Sequence, residues 1–537
     1  MNGSDFSRGT RPFGLGTPWE ALAFWLASLL ALLPLWWPAF PPMADLPQHA
    51  AQVALFRDLW SGSSPWEGLL AIKWFTPYIL GYVLTIGLAE VVGVVVACKL
   101  IVSVAMLLSL WVTRHLLKTN RSEQALAWLC LFGMYGFVYQ WGMISFMLAI
   151  PAGLLCTRVL VWHEEAPGIR RGLFLSAYFV GLFFCHALVL AFCCVVAAIF
   201  WLSVLPLRGG VSHLLAWVWV RLWPLLGVMA LAFLWLSRSS GHASVSVPVG
   251  WDLGWWQTTE AYYGSANWAF AHSAGWGRVS GLFPRALGIR SELMANLVGM
   301  LLLAVPFLLG HRITCQRQRL APFAALVLCL LLVPSFVFGT AFVFQRYAIF
   351  FLPLYVLLFA PRQSSGWSRA RHQLVGGLMV AAALVWVALF GARAVAFDRE
   401  AEAFRQVIDQ APPHSRVLSL VFSPDDEDSI APTLLHFPTW LSATRDSLVD
   451  AGFTGTHIQL VVYRPGLLPR ASVVEHFEWR ADGFNWQRHQ GDRYDHFVVR
   501  SRADVSRLLF HGAPCAPQLV AARQGWWLYE RVARCGK

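Results

Sequence analysis

The chain has 537 residues, 57% of them hydrophobic and only 13% charged, whereas soluble domains run to about 45–50% apolar and about 25% charged. That balance, with 28 Trp and 37 Phe, fits aromatic belts at two bilayer interfaces and argues against a soluble enzyme. The net charge of +12 comes from Arg scattered among short loops, where it sets topology and meets anionic headgroups; with no zinc-ligand spacing and no nucleic-acid motif, nucleic acid is set aside as a partner and the lipid bilayer is implied.

Residues 1–18 are polar and Gly-rich, with Arg8 and Arg11, and read as a cytoplasmic N-terminus. The apolar run Trp19–Phe40 has span length, roughly 20 residues at 1.5 Å each, and reads as an uncleaved first helix. An exterior loop, 41–75, follows. Further spans are expected at Thr76–Gly93, Val95–Leu117, Ala125–Tyr139, Met143–Trp162, an overlong stretch Leu173–Leu205, and Leu214–Leu236. The basic clusters Arg114/His115/Lys118/Arg121 and Arg170/Arg171 favour the cytoplasm, yet simple alternation puts them outside. A re-entrant or broken segment near Val91–Lys99, with Leu173–Leu205 counted as two spans, removes the conflict.

A second exterior loop, 238–292, carries Trp251, Trp255, Trp256, Trp268 and Trp276 and suits interfacial helices. Leu293–Gly310 and Tyr347–Ala360 are each followed by basic residues (Arg312, Arg317, Arg319; Arg362, Arg369, Arg371) that belong in the cytoplasm. Pro322–Val343 runs between them to a short turn at Gln345–Arg346, and Leu374–Val395 leaves the cytoplasm for the last time. The transmembrane domain is thus 19–396, with about eleven spans. Residues 397–537 form an exterior α/β domain, placed in the periplasm of a bacterial inner-membrane protein. Its expected elements are a helix at Glu400–Gln410, strands at Arg416–Phe422, His457–Tyr463 and His496–Arg500, and a hairpin turning at Gln524–Gly525. Cys515 and Cys535 are equidistant from Gly525, so a disulfide across that hairpin fits an oxidising compartment; two free thiols are the alternative.

Few residues invite chemistry. In Met43–His49 (MADLPQH), Asp45 stands where the chain leaves the membrane, four residues from His49, and a helix lying on the bilayer is expected to reach Trp60. Read alone, Asp45 before Pro47 is a helix cap; the alternative is an acid within reach of both a headgroup and a water-borne acceptor. Arg346, at the exterior mouth of a span, can clamp a phosphate with its stem in hydrocarbon, or can merely snorkel. Lys73, Arg238, Arg278 and Arg285 are weaker phosphate candidates. His186, deep in an apolar run, reads as structural, satisfied by a neighbouring helix, with a functional role as the alternative. Asp425–Asp428 reads as a solvated loop, with calcium binding as the alternative. Trp526–Trp527 reads as core or membrane contact.

The order of first span, Asp45-bearing loop, following helix and Pro77–Tyr82 (PYILGY) resembles the GT-C superfamily of integral-membrane glycosyltransferases. That resemblance implies transfer of a sugar from a polyprenyl-phosphate donor to an envelope lipid, glycan or protein acceptor on the exterior face. It gives Asp45 the role of base, or of helping to hold a divalent metal; the Trp-rich loop, with Trp255 and Trp256, is expected to shape the acceptor site. The pattern departs from the superfamily in lacking a second acid beside Asp45: the nearest are Asp58 and Glu67, then Asp252 and Glu260. This weakens a metal-dependent version and leaves His49 where a basic residue often follows. A non-catalytic scaffold of envelope polysaccharide assembly and a lipid-linked-sugar transporter are the competing readings, the second disfavoured by the lack of repeats and of intramembrane charge.

Overall fold

The computed structural model describes residues 17–206, 210–239, 275–337, 340–362, 369–424, 428–456, 458–472 and 477–532. Among the described residues, five helices are long and apolar enough to cross a bilayer: Pro18–Trp36, Val94–Thr119, Ile144–Glu165, Val211–Arg238 and Ala370–Ile408; a pair bent by 77°, Gly277–Leu287 with Glu292–Leu308, brings that total to six if it is one span. The remaining expected spans are short or broken. The 125–139 stretch is a 3-10 helix, Gln124–Gly133, followed by Phe137–Trp141. It is apolar because it is packed inside the bundle, with Ala125–Phe132 all buried. Leu173–Leu205 divides, as two spans require, at His186, whose extended backbone separates Ile169–Cys185 from Ala187–Leu202. Tyr347–Ala360 is likewise a set of short turns, ending in the helix Phe351–Leu357.

The break expected near Val91–Lys99 falls at Gly93, whose φ of 79° and ψ of 162° lie in a region only glycine occupies without strain. Ile79–Val92 has 14 residues, about 21 Å against the roughly 30 Å of a hydrocarbon core. It runs beside the helix Leu46–Ser61: His49 meets Tyr82 at 2.8 Å near one end and Arg57 meets Glu90 at 2.7 Å near the other. It is therefore shorter than a span, and Val94–Thr119 has the length and composition to cross.

That geometry collects the basic loops at one end of the bundle. Arg114 makes a bidentate pair with Glu20 (2.9 and 2.7 Å), which also accepts from the Trp128 indole. Glu123 lies 3.1 Å from His311 and 3.2 Å from His372, and Arg319 donates to Ser122 and to the Phe359 carbonyl. Residue 20, the 114–123 turn and the loops around 311–319 and 372 thus share one end.

At the opposite end the last helix continues unbroken as Arg369–Ile408, where the sequence suggests a span and then a separate helix. Its 40 residues, about 60 Å long, outrun any bilayer, and the charged end from Asp398 joins a five-stranded mixed sheet. The strand order is 518–523, 526–530, 496–500, 416–421, 448–450, the last two junctions parallel. Trp526 is buried between sheet and helix, its indole donating to Glu400 at 2.6 Å. The expected strand at 457–463 shrinks to Val461–Tyr463 and leaves this sheet to pair with Leu70–Ile72 of the first loop.

The helix Leu46–Ser61 differs from expectation in another way. Every residue from Leu46 to Phe56 is buried, so it is not an amphipathic helix on a bilayer. The helix Trp440–Arg445 and the turns around 437 and 453 cover it, and Gln52 bonds both the N–H and the carbonyl of Val461. Only its end, at Trp60, is exposed.

Candidate active site

A cavity of about 200 Å³ lies where this helix begins, walled by Tyr78 and Tyr82, by Trp141 and Phe146, by Thr340–Phe342 and Arg346, and by His436, Phe453, Gln459 and Glu478 of the C-terminal region. Asp45 is held at its mouth by backbone: the N–H of Ala44 donates to the Gln140 carbonyl and that of Asp45 to the Trp141 carbonyl, at 3.0 and 2.8 Å. This close approach needs Gly142, whose φ is 71° and where a Cβ would come within 2.7 Å of the Leu46 nitrogen.

Asp45 occupies the N-cap position but makes no capping hydrogen bond. Its carboxylate instead points into the cavity, 3.5 Å from Nε2 of His436. Burial pushes its pKa up to about 7, partly opposed by the Arg346 charge. His436 is held down to about 3 by burial and is neutral. His49 also lines the cavity; burial and then Arg346 lower it to about 3. Its Nδ1 bonds the Tyr82 hydroxyl, which donates to Gln459 at 2.6 Å. His49 therefore stays neutral and anchors a chain of polar groups; it is not a cation.

Arg346 lines the same cavity. Its Nη2 donates to the Ala341 carbonyl at 2.9 Å, and its buried Nε has no partner; among the described residues it forms no ion pair. The weaker phosphate candidates are elsewhere. Arg278 caps the end of the helix Arg317–Leu332 through the carbonyls of Leu330, Leu331 and Val333 and lies over Phe344 with Arg285. Lys73 and Arg238 do not line the cavity, Arg238 lying over Phe75. Trp255, Trp256, Asp252 and Glu260 lie outside the described residues, as do Cys535, which the disulfide needs, and 425–427 of the acidic run. His186 lines the cavity as well as capping its helix break, where its Nδ1 accepts from Leu188 N–H.

Glu478 is the acid that the sequence does not reveal. Carried by the turn Phe477–Trp479, it lines the cavity with Oε2 buried and without a partner. Burial, with the Asp45 charge adding to it, pushes its pKa up to about 8. Asp58 and Glu67, the acids nearest in sequence, do not line the cavity. Buried polar groups are nearly always hydrogen-bonded, yet five in this one wall lack a partner: Gln48 Nε2, Trp141 Nε1, Ser145 Oγ, Arg346 Nε and Glu478 Oε2. Such a wall suits a polar, partly anionic ligand. Among the described residues no three His, Cys, Asp or Glu are grouped so as to hold a metal ion.

The fold is similar to a solved one, ArnT from Cupriavidus metallidurans bound to undecaprenyl phosphate, at 12% identity and a TM-score of 0.52, over 96% of this chain and 99% of that one. No protein-family model matches the chain, and no curated protein matches it in sequence. The likeness carries the fold alone: an ArnT-like helical architecture.

Proposed function

We propose that the chain transfers a sugar from a polyprenyl-phosphate donor to an envelope acceptor on the exterior face of a bacterial inner membrane. The observation that carries this reading is one cavity holding a carboxylate, an arginine without a carboxylate partner, and unpartnered polar groups. The fold similarity to a protein bound to undecaprenyl phosphate adds weight. In this reading the cavity end and residues 397–537 face the exterior, and the basic end faces the cytoplasm.

Arg346 clamps the donor phosphate and stabilises its charge as it leaves. Asp45 accepts the proton of the acceptor hydroxyl as that oxygen attacks the anomeric carbon. The carbon–phosphate oxygen bond breaks, releasing polyprenyl phosphate. His436, neutral beside Asp45, orients the base. A pKa near 7 keeps a usable fraction of Asp45 ionised at neutral pH and still basic enough to take a proton.

The test is transfer of labelled sugar from polyprenyl-phosphate donors to envelope extract by the purified protein. Labelled product is the expected result. Movement of the donor across proteoliposomes without product favours a transporter, and phosphate-carrier binding with neither transfer nor flux favours a scaffold.

A further inference from the structure

We propose that the cavity is a subsite for a single monosaccharide, with Glu478 as its specificity-determining residue, donating a hydrogen bond to a sugar hydroxyl. This rests on the donor-phosphate reading of Arg346. Size comes first. At about 200 Å³ the cavity falls below the roughly 300–1,000 Å³ of sites for drug-sized ligands, a size that suits one sugar ring beside a phosphate.

The lining suits a pyranose or furanose ring. Trp141 lies against Phe342 at 4.4 Å and near Trp479 at 6.5 Å, an aromatic wall for the C–H face of a sugar. Polar groups border it: Glu478 Oε2, the Trp141 indole N–H, Gln48 Nε2 and Ser145 Oγ are all without partners. Leaving them empty-handed is costly, and a ligand rich in hydroxyls satisfies them.

Charge decides the form in which Glu478 acts. A donor phosphate and Asp45 already place two negative charges against the one positive charge of Arg346. A third anion in a buried site is unfavourable, and burial raises the Glu478 carboxyl to about 8. At neutral pH it is therefore a neutral acid with a proton to donate, and its carbonyl oxygen remains an acceptor. The Trp479 and Glu478 side chains also come from the C-terminal region, 433 residues after Asp45 (478 minus 45), so sugar selection and proton transfer are assigned to different parts of the chain.

The experiment measures binding, in lipid nanodiscs, of undecaprenyl phosphate alone and of undecaprenyl phosphate carrying one glucosyl, galactosyl, mannosyl or arabinosyl residue, or a disaccharide. Wild type, Glu478→Gln and Glu478→Ala are compared. The proposal expects at least one monosaccharide carrier to bind roughly tenfold more tightly than the bare carrier. Glu478→Ala should abolish that advantage while leaving the bare carrier's affinity unchanged, and Glu478→Gln, which still donates, should keep most of it. The proposal is overturned if no monosaccharide adds affinity, if Glu478→Ala keeps the advantage, or if disaccharide carriers bind as well as monosaccharide ones. Failure of the bare carrier to bind wild type instead overturns the phosphate reading of Arg346 and the proposal with it.

Discussion

Two arginines, Arg114 buried and Arg346 half-buried with a buried Nε, mark the two ends of the bundle, and they are treated in opposite ways. Arg114 has a bidentate carboxylate, Glu20, and the face of Phe24 at 4.8 Å. Arg346 has one backbone carbonyl and a bare Nε, although Asp45 is near enough for each charge to shift the other. A buried pair that is complete within the chain supports the fold and has nothing left to give. A half-buried cation and a half-buried acid that are kept apart are available to something else. On that difference we assign Arg114 to the fold and propose Arg346 and Asp45 for function.

Substitutions can break that contrast. The largest expected effect is at Asp45: Asp45→Asn should lower sugar transfer by about 10²–10⁴-fold while the protein still folds. Glu20→Gln should do the reverse, costing about 3–5 kcal/mol of stability by stranding Arg114, seen as a lower melting temperature and poor recovery, with the activity per folded molecule retained. Arg346→Gln should abolish binding of undecaprenyl phosphate with little change in melting temperature.

pH sharpens the same comparison. Asp45 rises from 3.8 to about 7 and Glu478 from 4.5 to about 8. Across those windows the folded protein holds protons that the unfolded chain has lost. The stability from these groups is thus full below about 4 and lost as pH climbs through about 7–8. Transfer should first move the other way, rising with pH through about 7 as Asp45 ionises, and then fall above about 8 as Glu478 loses the proton it donates. Melting curves and initial rates from pH 5 to 9 check both, and Asp45→Asn should flatten part of the stability slope.

Smaller effects should follow at the supports. Gly142→Ala forces a side chain into a positive-φ position 2.7 Å from the Leu46 nitrogen; a cost of about 1–3 kcal/mol and a partial loss of transfer, through displacement of Asp45, are expected from melting and rate measurements. Lys73→Ala and Arg238→Ala, outside the cavity, should leave transfer unchanged.

Local features of this chain were legible in its sequence, and contacts across long separations were not. Leu374–Val395, the strand at 416 and the hairpin at Gln524–Gly525 each follow from a local pattern. Asp45 and Arg346 stand out because a charge at the end of an apolar run is costly to leave there. His436 and Glu478 carry no such mark: each is a polar residue in a mixed segment, and only tertiary closure brings it to Asp45. The burial of Leu46–Phe56 was hidden for the same reason. A helix that follows a span reads as a surface helix until the turns around 437 and 453 and the helix Trp440–Arg445 are known to lie on it. The 14-residue Ile79–Val92 misleads by hydropathy, because an apolar helix beside another at an interface and an apolar helix through a bilayer share one composition.

The most direct measurement is transfer of radiolabelled sugar from polyprenyl-phosphate donors to envelope extract, with wild type and Asp45→Asn at equal folded concentration above pH 7. The account predicts labelled product from the wild type and its loss in the variant, with undecaprenyl phosphate still bound by both. Equal transfer by both proteins would contradict Asp45 as the base.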